Sequence, residues 1–149
     1  MLNRLKDVFK SLEENRVKYL VIGGIATVLH GVPRATFDLD ILIEPTHENA
    51  RRLLSALVDA GLGTAAETTA TELLEYEITV FKDIVRVDVQ TQTPGIEFES
   101  AWENRETLVY QDQKVEVLCR KDLIRSKRAA GRDVDLEDAR LLEQAQKTK

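Results

Sequence analysis

Leu39 to Ile43 (LDILI) reads as a short buried strand ending at Glu44-Pro45, and an aspartate interrupts its apolar run. Asp is disfavoured inside strands. Asp38 and Asp40 are two residues apart on or entering this strand, so their side chains leave the same face while Leu39, Ile41 and Ile43 point to a core. The fold must therefore bury one face and leave two carboxylates together on the other. Like charges this close resist joint ionisation unless a cation neutralises them, and oxygen donors without a thiolate favour Mg²⁺ or Mn²⁺. The plain alternative is two solvated aspartates at a strand end.

The flanking sequence builds on this strand. Val17 to Ile22 (VKYLVI) is β-rich and runs into Gly23-Gly24, after which IATVLHG makes about two helical turns before Gly31 and Pro33 stop it. Backbone N–H groups at such a strand-to-helix junction suit a phosphate, although a tight turn alone is commoner. The pair lies 15 residues before Asp38, so the short helix can return the chain to the neighbouring strand. Val85, Val87 and Val89 alternate with Arg86, Asp88 and Gln90, which makes a half-buried strand that repeats the exposed carboxylate at Asp88. Its expected partner is Leu74 to Phe81, with Leu74, Tyr76, Ile78 and Val80 alternating with Glu75, Glu77 and Thr79 across a turn at Lys82-Asp83.

Elsewhere Leu5, Val8, Phe9 and Leu12 fall at helical spacing, and Thr46 caps a helix carrying Ala50, Leu53, Leu54, Leu57 and Val58 up to Gly61. Gly61 to Glu72 reads as a loop and as the best candidate for a mobile segment. FESAWEN is expected to be helical, Thr107–Tyr110 and Lys114–Leu118 to form a hairpin, and Asp122–Ala130 and Asp135–Gln146 to be closing helices. With no repeat or long linker, residues 1–149 are expected to form one domain, a sheet core over 1–118 and a helical segment over 119–149.

Composition narrows the function. Of the 149 residues 43% are hydrophobic and 32% charged, enough for a core, and no apolar run approaches the ~20 residues of a membrane span. A soluble, cytoplasmic protein without a membrane partner is the expectation. Cys119 is the only cysteine, so an internal disulfide or cysteine metal cluster is excluded, and a metal must sit on oxygen or on His30 and His47. Those histidines fit no metal spacing; His30 reads as a packed or hydrogen-bonded helix end and Trp102 as a core or partner contact. A net charge of -5 argues against a broad nucleic-acid surface, and 5% aromatics are too few for base-stacking platforms. The charge is uneven: Gly61–Ser100 holds eight acidic and two basic residues, Arg120–Arg132 six basic and one acidic. Arg125, Arg128 and Arg132 read as a solvated helix face, whereas Lys127 shares the inward stripe of Leu123 and Ile124.

VIGGIATVLHGVPRATFDLDILIE resembles the signature of the nucleotidyltransferase superfamily, the DNA polymerase beta-like fold. It looks in particular like the small stand-alone bacterial group that includes AbiEii-type toxins, with matches at Gly23, Gly24, His30, Gly31, Arg34, Thr36, Asp38 and Asp40. VRVDVQ resembles the third carboxylate strand, at Asp88, and DLIRSKRAAGRDVDLEDARLL resembles the closing helices, with Lys127, Arg132, Asp135 and Asp138 in place. The likeness runs from Tyr19 to Leu142; Val134 departs from it, standing where the group usually has lysine.

The resemblance implies an α/β (α+β) fold, a mixed sheet with helices on one face and the carboxylates on the other, plus closing C-terminal helices. It implies transfer of a nucleoside monophosphate from an NTP to an acceptor hydroxyl, with release of pyrophosphate. Asp38, Asp40 and Asp88 would be catalytic and would hold Mg²⁺ or Mn²⁺, and Gly23, Gly24, Arg34, Thr36 and Lys127 would bind the nucleotide. The acceptor is left open among a small molecule, a protein hydroxyl and an RNA end, and a partner chain is a further expectation. One rival is a catalytically degenerate fold acting as a nucleotide-binding or toxin-antitoxin regulatory subunit, which retention of the three aspartates argues against. Another is a nuclease or phosphatase, which leaves Gly23-Gly24 unexplained.

Overall fold

The computed structural model describes residues 2–147 apart from residue 37. Its elements are α1 (Leu2–Glu14), β1 (Tyr19–Ile22), α2 (Gly23–Leu29), β2 (Leu39–Ile43), α3 (His47–Asp59), a 3-10 turn (Gly63–Glu67), α4 (Ala70–Glu75), β3 (Ile78–Lys82), β4 (Arg86–Gln90), α5 (Phe98–Glu103), β5 (Glu106–Tyr110), β6 (Gln113–Val117), α6 (Arg120–Ala130) and α7 (Asp133–Lys147). The six strands form one mixed sheet in the order β3-β4-β2-β1-β6-β5. β1 pairs antiparallel with β2 and parallel with β6, and β2 pairs parallel with β4. Two hairpins, β3–β4 and β5–β6, form the flanks. In the second, Gln111 and Asp112 both have positive φ (49° and 67°), as a two-residue type I′ connection requires.

Strand register fixes the two faces. Val21, Ile41 and Val89 line up with Val117 on one face, all at most 1% exposed, and with α1 and α3 they make the core. α1 turns Leu5, Val8, Phe9 and Leu12 inward and packs on α3 and β6. Asp40 and Asp88 lie on the other face, in register with each other. That face is not bare: Leu20 and Leu42 share it by register and are 0% and 2% exposed, which explains why all four residues of β1 are buried. Asn49 on α3 staples β1 to the end of β2, accepting from the Lys18 N–H (2.8 Å) and donating to the Lys18 and Glu44 carbonyls (2.9 and 3.0 Å).

Three expectations need correction. The segment after Gly61 is ordered into the 3-10 turn and α4, whose start is a capping box: the Thr69 hydroxyl accepts from the Glu72 N–H while the Glu72 carboxylate accepts from the Thr69 N–H. β3 begins at Ile78, and its alternation is inverted, with Ile78 (52% exposed) and Val80 (46%) outward and Phe81 buried. β3 is an edge strand, and register puts Val80 beside Asp88 on the polar face. Finally, Val58 is exposed on α3 rather than part of its inward stripe.

Candidate active site

The site starts from the turn that ends β1. Ile22 stands opposite Asp40 in the β1–β2 ladder, so the next residue, Gly23, is pressed against the Asp40 side chain. A Cβ at Gly23 would lie 2.6 Å from Asp40 Oδ2, and Gly23 has φ +68°, a conformation that side chains resist. Gly24 fits as tightly, since a Cβ there would lie 2.8 Å from Thr36 Oγ1. The two glycines thus bring the start of α2 against the segment that leads into β2. Thr27 closes the turn by donating to the Gly23 carbonyl (3.0 Å).

A cleft of about 430 Å³ opens over this turn. Gly23, Asp40 and Asp88 line it from the sheet, Leu123, Ser126, Lys127 and Ala130 from α6, and Arg132 and Asp135 from the start of α7. Gly131 (φ +72°) ends α6 in the left-handed conformation and reverses the chain into α7. Burial, then the negative charges of Asp88 and Asp38, push the Asp40 carboxyl up to about 7, while Lys127 opposes the shift. The nearby charge of Asp88 thus opposes ionisation of Asp40, a repulsion that a bound cation would relieve.

The basic wall is organised by buried aspartates. Lys127 Nζ lies 3.0 Å from Asp138 and 3.8 Å from Asp135, and both carboxylates are nearly inaccessible. Arg34 meets Asp138 at 2.7 Å, and Arg132 makes two hydrogen bonds to Asp135 (2.7 and 3.2 Å). Burial pushes Asp135 up, but the bonds from Arg132 and the charge of Lys127 outweigh it and hold the carboxyl below its ordinary value. His30, 5% exposed, bonds to the Leu118 carbonyl through Nε2 (2.8 Å), and Arg120 donates to the His30 carbonyl, which fastens the end of α2 to the start of α6.

Of the residues singled out in the sequence, Gly23, Asp40, Asp88 and Lys127 share one cleft. Gly24 and Thr36 pack on each other, and Arg34 reaches the same aspartate as Lys127. Asp38 precedes β2, outside the pleat that holds Asp40; its carboxylate is half exposed and meets Arg86 at 3.8 Å. Among the described residues no three His, Cys, Asp or Glu side chains gather into a metal-holding group, and Asp40 with Asp88 is the close acidic pair. Arg86, not singled out by the sequence pattern, bonds both Asp88 oxygens (2.9 and 3.2 Å); its signal is the two-residue spacing that puts Arg86 and Asp88 on one face. The expected arginine face of α6 is tied down, with Arg125 paired to the buried Asp122 and Arg128 to Glu143. Trp102 is half-buried against the core, stacks on Phe98 and lies under the Arg105 guanidinium.

Residues 3–145 match the family described as nucleotidyltransferase of unknown function (DUF6036). The chain belongs to this nucleotidyltransferase family. Among solved structures, it resembles a candidate nucleotidyltransferase of Thermotoga maritima (TM-score 0.59, 16% identity, 99% of this chain and 93% of that one). It also resembles an antigenic nucleotidyltransferase-like protein of Paracoccidioides brasiliensis (TM-score 0.57, 19% identity, 97% and 74%). Identities this low establish a shared fold and no more. Among curated proteins nothing matches. No helix among the described residues is long and apolar enough to cross a membrane.

Proposed function

We propose that the cleft binds a nucleoside triphosphate with a divalent cation and transfers the nucleoside monophosphate to an acceptor hydroxyl, releasing pyrophosphate. The observation that carries this reading is the ladder register of Asp40 and Asp88, two carboxylates fixed side by side beneath the buried ammonium of Lys127. The donor set fits Mg²⁺ or Mn²⁺: it is all oxygen, and the like charge that raises Asp40 is what a cation would relieve. Asp40 and Asp88 would hold the ion, with Asp38 joining them as the motif implies. The bound ion would supply Lewis-acid charge neutralisation and a lower pKa for the attacking hydroxyl.

The protein's own groups do the rest. Gly23, without a side chain, keeps the turn open beside Asp40, and in this reading the Gly23-Gly24 backbone approaches the β and γ phosphates. Lys127, held by Asp138 and Asp135, presents fixed positive charge to the leaving pyrophosphate. Arg34 and Thr36 complete the nucleotide side, and Asp88 orients the acceptor hydroxyl. The acceptor oxygen forms its bond to the α-phosphorus as the bond to the β-bridging oxygen breaks, and the hydroxyl proton passes to solvent or a cleft carboxylate. The reading extends to an enzyme of the AbiEii kind, with an acceptor drawn from small molecules, protein hydroxyls or RNA ends.

Linked binding tests the site. Calorimetry should show ATP binding much more weakly in EDTA than in Mg²⁺, and Asp40→Asn should remove most of that difference. Equal affinity with and without the ion would overturn the two-carboxylate site.

A further inference from the structure

Arg86 stands two residues before Asp88 on β4, so the pleat sends both side chains from the same face. Its Nε donates to Asp88 Oδ1 at 2.9 Å and its Nη2 to Oδ2 at 3.2 Å, so the planar fork engages both oxygens of one carboxylate. The same Nε lies 3.8 Å from Asp38 Oδ2. One guanidinium therefore spans two of the three aspartates that the motif assigns to a metal. It is a permanent cation, since arginine does not lose its proton in proteins.

A divalent ion on Asp40 and Asp88 would need lone pairs that Arg86 now engages, and it would bring two positive centres together over one carboxylate. The ammonium of Lys127 is not equivalent, because Asp138 and Asp135 hold it from the opposite wall. Arg86 is also placed to let go. Its side chain is 41% exposed against 14% for Asp88, so the guanidinium can return to water without opening the sheet.

We propose that Arg86 is a built-in counter-cation of the carboxylate site, competing with the divalent ion for Asp88 and keeping ion binding weak until a triphosphate arrives to share the ligation. This rests on the metal-dependent reading of the cleft. An unliganded protein of this design leaves its acidic pair neutralised from within, and the cation arrives together with the nucleotide's own oxygens.

The test is Mn²⁺ binding to the nucleotide-free protein, followed by electron paramagnetic resonance of the free ion, for the parent chain, Arg86→Gln, Arg86→Lys and Asp40→Asn. Circular dichroism melts check that each variant folds. Arg86→Gln should bind Mn²⁺ severalfold more tightly, Arg86→Lys by a smaller factor because it keeps the charge and loses the fork, and Asp40→Asn more weakly. Should Arg86→Gln fail to fold, Arg86→Lys carries the comparison. Unchanged or weaker binding in the Arg86 variants, with Asp40→Asn still impaired, would overturn the counter-cation role and leave the metal site standing. Binding that is indifferent to Asp40→Asn would overturn the metal site itself, and the role of Arg86 with it.

Discussion

Asp40 takes up a proton more readily in the folded chain than in the unfolded one, because burial and the charges of Asp88 and Asp38 raise it from an ordinary 3.8 to about 7. A carboxyl raised in this way favours folding fully below 3.8, and its contribution is lost as the pH climbs through about 7. In the metal-free protein, Asp40→Asn should then be the more stable form at pH 8, by about 2–4 kcal/mol, with the difference closing towards pH 4. Urea unfolding in EDTA across that range checks it. A pH-independent difference would mean that Asp40 is an ordinary solvated aspartate. The position was legible in the sequence because an aspartate breaks an apolar strand. Arg86, the partner of Asp88, has the same two-residue spacing but reads as one more alternating polar residue.

At the scale of elements, α6 and α7 meet through a network in which Lys127 neutralises two carboxylates that are otherwise shut off from water. The resemblance made Lys127 a nucleotide ligand, and the structure adds a structural duty. Lys127→Ala would leave Asp138 with Arg34 alone and Asp135 with the exposed Arg132, so unfolding should become easier by about 1–3 kcal/mol, as for the loss of charge-assisted hydrogen bonds from a buried network whose carboxylates each keep one partner. Arg140→Ala, which opens an exposed pair with Glu137, should leave the urea midpoint nearly unchanged. Equal effects would show that burial of the network contributes nothing.

Legibility varied between elements for the same physical reason. β4 and β6 were readable because one face of each meets apolar neighbours and the alternation records it, and β2 because its apolar run is buried on both faces except at Asp40. β3 was misread because an edge strand is held by a single anchor, Phe81, and its alternating Ile78 and Val80 sit on the face of the site. The order after Gly61 was missed although Thr69-x-x-Glu72 spells a capping box, since small and hydroxyl residues in the same stretch suggested a loop. Asn49, a buried staple, carries no periodic signal at all.

Across the whole molecule the uneven charge acquires a geometry. The acidic stretch of the sequence supplies β3 and β4, the basic stretch supplies α6, and the cleft lies between them with Asp40 and Asp88 on one wall and Lys127 and Arg132 on the other. A metal-bound triphosphate carries both signs of charge and matches both walls, cation to the sheet and phosphates to the helix. The fold places these walls by chain order alone, with β1 and β2 bringing Gly23 to Asp40 and the closing helices covering the result.

The most direct measurement follows the phosphates. The protein is incubated with Mg²⁺, a cell extract and each NTP labelled at either the α or the γ position, and the products are separated. Nucleotidyl transfer predicts α-label on an acceptor and γ-label in pyrophosphate, with Asp88→Asn reducing turnover by orders of magnitude. Release of γ-label as orthophosphate with no labelled acceptor, or turnover that survives Asp88→Asn intact, would contradict it.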